Sequence, residues 1–437
     1  MNTVLDFLDF VSASPTAFHA VHEAVTRLER AGFTELDERK PFSLVPGGRY
    51  YLTRNRSSVL AFRLPEGELT HFQIVASHAD SPCFKLKTPE ESDAPGDCLR
   101  LNVEGYGGMI MSTWLDRPLS VAGRLLLRTE GGLETRLCDL RRDAVLIPNL
   151  PIHFNREVNK GYAFNAQVDM QPLCGGKESR GLLLRELAEG VGARAEDIAA
   201  CDLFLYNRMP GSIWGAQDEF FSAPRIDDLQ CAHASLAAFL AAPAPEGHAD
   251  VYALFDNEEV GSGSKQGADS NLLSAALRRV STALGPDADA VLAGSFTVSA
   301  DNAHAVHPNH PEKYDDANRC RMNGGVVVKH NAAQKYTTDA ASDAVFSEIC
   351  RAAGVPVQHF FNRADVPGGS TLGHIANTHA SMNSLDIGLA QLAMHSSYET
   401  AGTADPDYMV RALTAFYGTD VRARGDGDFE LVPVREG

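Results

Sequence analysis

Two adjacent carboxylates, Glu258 and Glu259, interrupt the segment Val251–Gly263, VYALFDNEEVGSG. Ahead of them Val251–Phe255 is continuously apolar, the pattern of a strand buried on both faces inside a parallel sheet. Carboxylates delivered to the carboxyl end of such a strand stand where open α/β sheets keep their active sites. Sheltered from water, they require a cation or a proton. Other metal-binding types occupy matching places: His78 follows the apolar run His71–Ser77, Asp301 follows Ala290–Ser299, His395 lies beyond Ser384–Leu389, and Asp227 stands at the head of a helical stretch. Imidazoles and carboxylates gathered at one sheet edge suit two Zn²⁺-like ions. In His78-Ala79-Asp80, the second carboxylate is near enough to take the imidazole's other N–H, which fixes its tautomer. Each residue alone has a plainer explanation: an acidic loop at 256–259, a helix cap at Asp301, a turn at Asp80 before Ser81-Pro82. Agreement among five positions favours the metal centre.

The elements that would position these groups are readable from periodicity. Val4, Leu8 and Val11 fall at helical spacing, and Ser14-Pro15 reads as the start of a second helix carrying Phe18, Val21, Val25 and Leu28 up to Gly32. Tyr50–Leu64 predicts a hairpin around Asn55–Ser58. From about Ser92 the texture changes. Asp93-Ala94-Pro95-Gly96 breaks the chain, and short alternating strands follow, among them a hairpin of Arg124–Arg128 and Leu133–Leu137, with a helix near Leu182–Ala188. Beyond Ile213 a βα rhythm returns. Helices are predicted over Asp227–Ala242, Leu273–Leu284, Ala340–Ala353 and Tyr408–Tyr417, and strands over Val251–Asp256, Ala290–Ser299, Gly325–Lys329, Val357–Asn362 and Ser384–Leu389. The expected organisation is α/β: a discontinuous domain of residues 1–91 and 214–437, interrupted by a β-rich domain of residues 92–213.

Composition narrows the partners. The formal net charge of −18 over 437 residues argues against nucleic acid or an anionic membrane. No apolar run approaches the ~20 residues that span a bilayer, and residues 1–14 lack the pattern of a secretory signal. Eight cysteines scattered without a CxxC pair read as the reduced thiols of a cytoplasmic protein.

The segments HADSPCFKLK (78–87), SAPRIDDL (222–229), DNEEVGS (256–262), SADNAHAVHPN (299–309) and QLAMHS (391–396) together closely resemble the aspartyl aminopeptidase family, cytoplasmic dinuclear zinc exopeptidases. The β-rich part resembles it as well, at YGG (106–108), WLDRPLSVAGR (114–124) and PIHFNRE (151–157), so the likeness spans nearly the whole chain. It implies a phosphorylase/hydrolase-like mixed sheet flanked by helices, the zinc exopeptidase fold, with the insertion serving dimerisation. It also implies a homo-oligomer built from dimers, a dodecamer, with two divalent ions per subunit, Zn²⁺ or else Co²⁺ or Mn²⁺.

Roles follow position by position from the resemblance. Asp227 would bridge both ions, His78 and Asp301 would complete one site, and Glu259 and His395 the other. Glu258 would be the general base and Asp80 the group that orients His78. His153 would reach a neighbouring subunit's site, His304 and His307 would lie near the substrate, and Lys329 and Tyr336 would read its acidic side chain. A cis peptide is expected between Asp227 and Asp228. The sequence departs from the family pattern at Asn257, Asp228 and His310, none of them an expected ligand. The implied activity is release of an unblocked N-terminal Asp or Glu. A related dinuclear carboxypeptidase or N-deacylase is the alternative, and a non-catalytic metal-bound scaffold a third reading.

Overall fold

The computed structural model describes residues 2–369 and 371–434. A nine-stranded mixed sheet forms its centre. In chain order the strands are β1 (Thr34–Glu35), β2 (Arg49–Arg54), β3 (Ser58–Arg63), β4 (His71–His78), β5 (His248–Phe255), β6 (Phe296–Ala300), β7 (Val326–His330), β8 (Val357–Phe361) and β9 (Asn383–Gly388). Across the sheet they run β1-β2-β3-β5-β4-β6-β9-β7-β8. Strands β5, β4, β6 and β9 are parallel neighbours. The β2–β3 hairpin joins β5 antiparallel on one side, and β7 joins β9 antiparallel on the other.

The main helices are α1 (Asn2–Ala13), α2 (Ala17–Arg30), α3 (Ile226–Ala241), α4 (Leu272–Leu284), α5 (Ala340–Ala352) and α6 (Asp405–Tyr417). Strand alternation divides β5 between two cores. Tyr252 and Leu254 pack with Leu229, Phe239, Phe416 and Tyr417 on one face; Val251, Ala253 and Phe255 pack with Leu273, Leu277 and Val280 on the other. With both faces covered, β4 and β5 are buried along all eight of their residues. Each fully buried large apolar side chain stabilises the fold by roughly 1.5–3 kcal/mol, so the central strands are held rigidly and their ends can carry a precise site.

A second body of structure is antiparallel. Gly132–Asp139, Leu119–Thr129, Ile198–Asn207, Cys83–Leu86 and Val103–Tyr106 form a five-stranded sheet in that order, over its own core of Phe84, Trp114, Val121, Leu125 and Leu205. Cys83–Leu86, which precedes the break read at Ser92, belongs to this sheet. Among the described residues no helix is long and apolar enough to cross a membrane.

Two local expectations are corrected. Ala290–Ser299 is not one strand: Ala288–Ala293 is helical and β6 begins at Phe296. The Asp287 side chain accepts from the Ala290 N–H and caps that helix, a local signal that outweighed the apolar run. The second helix starts later than Ser14-Pro15 suggested, with Thr16 at its N-cap position.

Candidate active site

The strand ends bring the chemistry together. His78 is the last residue of β4, Asp301 directly follows β6, and Asp227 sits in the first turn of α3. Glu258 and Glu259 occupy a single turn after β5, entered through Asn257 at φ 66°. Asn accepts that left-handed conformation more readily than most residues. His395 lies in the loop beyond β9, also left-handed at φ 66°. Non-glycine residues in this conformation gather where a site demands them. The Asp227–Asp228 peptide is cis, as expected.

Within this cluster, His395 Nε2 lies 3.3 Å from Asp227 Oδ2 and 3.3 Å from Glu259 Oε2. His78 Nε2 lies 3.6 Å from Asp227 Oδ1 and 4.0 Å from Asp301 Oδ1. Donors about 2.1 Å from a tetrahedral ion stand ~3.4 Å apart, so these separations are those of ligand atoms around a shared centre. The buried oxygens Asp227 Oδ1 and Glu259 Oε1 have no hydrogen-bond partner. An unsatisfied buried carboxylate oxygen is costly, and a cation satisfies it. The residues therefore fit a divalent metal: His78, Asp227, Asp228 and Asp301 form one close group and Asp227, Glu259 and His395 another that shares Asp227, with Glu258 and Glu259 also gathered beside His78.

The electrostatics are those of concentrated negative charge. Burial pushes the Glu258 carboxyl up to about 8, with His78 opposing and Asp301, Asp80 and Asp227 adding to it. Burial likewise holds Glu259 well above the ordinary range. Against the same penalty, Asp228, Asp227 and Asp80 keep the His78 imidazole well above its usual value.

Three carboxylates hold this arrangement in place, and only one was singled out from the sequence. The Asp80 carboxylate accepts from the backbone N–H of Glu258 (3.2 Å), the N–H of Glu259 (3.1 Å) and the hydroxyl of Tyr106 (2.7 Å). His78 Nδ1 bonds the Asp80 carbonyl oxygen at 3.1 Å, while the carboxylate is 3.4 Å away. Asp80 thus orients the imidazole through its backbone, not through the carboxylate as expected, and uses the carboxylate to pin the Glu258–Glu259 turn. Asp228 accepts from the N–H of His78 and of Asn302, both at 3.2 Å. Glu399 accepts from the N–H of Asp227 (3.1 Å) and of His395 (2.9 Å). The signal for Glu399 was its place four residues after His395, which sequence reasoning passed over.

The cluster opens into a cavity of about 460 Å³ lined by His78, Asp227, Glu258, Glu259, Asp301, His304, Lys329, Tyr336, Phe360 and His395. Lys329 is buried there, its Nζ donating to the Asn302 carbonyl at 3.0 Å and standing 3.6 Å from Asp301 Oδ2. Tyr336 offers its ring to that ammonium, 5.4 Å from the centroid, rather than its hydroxyl. His304 lines the cavity beside Phe360. His307 does not line it; its Nδ1 accepts from the Asn309 N–H instead. His153 does not line it either, and sits on an exposed loop between Ile152 and Phe154.

Imidazoles and carboxylates converging at the strand ends of a helix-flanked mixed sheet define a metallohydrolase. Residues 10–417 match the family described as aminopeptidase I zinc metalloprotease (M18), and the chain belongs to that family. It is 43% identical over 421 residues to the probable M18 family aminopeptidase 2 of Clostridium acetobutylicum, covering 94% of this chain and 97% of the relative. The cryo-EM structure of the Ape4 and Nbr1 complex superposes with a TM-score of 0.91 at 34% identity, covering 95% of this chain and 85% of that one. The S. cerevisiae mApe1 dodecamer superposes with a TM-score of 0.83 at 28% identity, covering 94% and 95%. The protein is accordingly a zinc aminopeptidase.

Proposed function

We propose that this aminopeptidase releases unblocked N-terminal Asp or Glu from peptides, using two divalent ions and Glu258 as general base. The observation that carries the substrate preference is Lys329, a cation buried in the cavity that holds the metal-binding groups. A protein with 57 Asp and Glu against 39 Lys and Arg repels an anionic peptide at long range, so preference for an acidic side chain needs a cation at short range.

In this reading Asp227 would be shared by both ions, His78 and Asp301 would help hold one, and Glu259 and His395 the other. When bound, the ions lower the pKa of water towards ~7 and polarise the scissile carbonyl. Glu258 takes the proton of the attacking water and passes it to the leaving amine. Asp80 keeps Glu258 and Glu259 in register by accepting both of their N–H groups. Lys329, backed by the Tyr336 ring, pairs with the substrate's carboxylate, and His304, which lines the same cavity, flanks the peptide.

The same reading makes the protein a homo-oligomer built from dimers, a dodecamer. The loop around His153 supports this, since Leu150, Ile152 and Phe154 expose 55%, 48% and 80% of their surface. Such a patch suits a subunit contact that would carry His153 towards a neighbour's cavity. Eight free cysteines suit a reducing compartment, the cytoplasm.

The test is a panel of peptides with N-terminal Asp, Glu, Leu and Lys, each also N-acylated, assayed before and after chelation and zinc restoration. The account expects release of Asp and Glu from the free peptides alone, lost on chelation and regained with zinc. Faster release of Leu or Lys overturns the acidic preference. Cleavage confined to acylated or C-terminal residues favours the N-deacylase or carboxypeptidase alternative.

A further inference from the structure

We propose a separate metal site formed by His330, His359 and Asp343, taking a divalent transition ion of the Zn²⁺ class. His330 and His359 lie on β7 and β8, the last two strands of the sheet. The parallel register pairs Val328 with His359 and His330 with Phe361, so both histidines occupy one face. Lys329 and Phe360, also paired, occupy the opposite face and line the catalytic cavity. Asp343 stands in the first turn of α5, with which it approaches the histidine face.

The three side chains aim at one point. His330 Nε2 and His359 Nε2 each lie 3.2 Å from Asp343 Oδ2. The corresponding donor atoms all fall within 4.8 Å of one another. Around an ion with 2.1 Å bonds, ligand atoms stand ~3.0 Å apart in an octahedron and ~3.4 Å in a tetrahedron, and 3.2 Å lies between. His330 Nε2 is shielded from solvent and has no hydrogen-bond partner, although a carboxylate oxygen is this close. That nitrogen is therefore left with ligand capacity toward a shared ion, whereas His359 Nε2 hydrogen-bonds Asp343 Oδ1 at 3.3 Å and would exchange that bond for the ion. Ser347 Oγ donates to that same Asp343 Oδ1 at 2.8 Å, while Oδ2 faces both histidines. Phe361 lies parallel to the His330 ring, 4.8 Å between centroids and 6° between planes, and fixes that ring's attitude.

Access and charge also favour an ion here. His359 is 42% exposed and Asp343 20%, so an ion can enter and keep water ligands. A second His–His–Asp group, His71, His248 and Asp420, is fully buried, and there Arg422 already neutralises the aspartate at 2.6 Å. No Arg or Lys pairs with Asp343 among the described residues. An ion at this point would staple the edge strand β8 to β7 and α5. The chain leaving β8, with Asn362 and Arg363, lines the catalytic cavity, so the staple would steady one wall of it.

The experiment compares metal content in the full-length wild type and H330A/H359A. Both are stripped with chelator, reloaded with Zn²⁺ alone and dialysed, and zinc per subunit is counted. The expected result is one zinc fewer per subunit in H330A/H359A, with the catalytic ions retained. Cobalt absorption provides a second readout and should lose one component in the variant. Should H330A/H359A not fold, His359→Ala at the exposed position replaces it. Losing a ligand should weaken the extra site by more than the roughly 10–100-fold cost of losing a ligand's own partner. Equal zinc counts in wild type and variants, or an extra site filled only by millimolar zinc, overturns the proposal and leaves a hydrogen-bonded His–Asp–His cluster.

Discussion

On the proposed reading, replacing Lys329 by Met should separate recognition of an acidic side chain from the hydrolytic step. Methionine keeps much of the stem volume in a position only 3% exposed, so the packing against Tyr336 survives while the charge is removed. In the wild type the ammonium has one carbonyl at 3.0 Å, one carboxylate at 3.6 Å and one aromatic face, which leaves donor capacity for a substrate carboxylate. A hydrogen bond to a charged group contributes roughly 1.5–3 kcal/mol, so kcat/KM for N-terminal Asp should fall about ten- to a hundredfold or more. Activity on N-terminal Leu should change much less, since that side chain has no carboxylate to leave unpaired. Initial rates on matched Asp and Leu peptides, with zinc content measured in parallel, give the comparison. Removing a positive charge beside Asp301 should not lower zinc content, because ammonium and ion compete for the same carboxylate. An equal fall on both substrates would refute the assignment and make Lys329 a support for Asp301.

Asp227→Ala should lose zinc from both catalytic positions, since the two donor groups share this residue; retention of one tightly held catalytic ion would show that the carboxylate does not bridge. His19 offers a pH test remote from the metal ligands. Burial holds its imidazole down to about 4, against the pull of Asp139, so the folded state resists protonation. Its share of stability is therefore intact above the unfolded value near 6.5 and is lost as pH falls from there towards 4. His19→Gln removes that loss, and between pH 7.5 and pH 5 its urea midpoint should improve relative to wild type by the equivalent of up to about 2 kcal/mol; a constant gap at the two pH values contradicts it.

Much of the architecture was legible because the central strands are long apolar runs with covered faces. β4 and β5 stand within one to three residues of where the pattern of 71–77 and 251–256 placed them. The cavity-lining residues His78, Asp227, Glu258, Glu259, Asp301 and His395 were legible because each falls just past a strand or at a helix start. What periodicity missed was local or long-range. The Asp287 cap turned an apolar stretch into a short helix. Glu399 and Asp228 accept the backbone N–H groups of Asp227 and His78, distant in sequence, and only the four-residue spacing of Glu399 from His395 left a trace in the sequence. Asp80 was found, but which of its oxygens meets the imidazole depends on backbone geometry that residue types do not encode.

The measurement that bears most directly on the hydrolytic centre is turnover of Glu258→Gln alongside its zinc content. Gln keeps the size and the backbone turn pinned by Asp80, and removes the ability to accept a proton. A general base contributes a factor of about 10²–10⁴, so turnover on N-terminal Asp should fall by that much with zinc unchanged. Loss of zinc together with activity would contradict the account, making Glu258 a ligand and leaving the proton to another group.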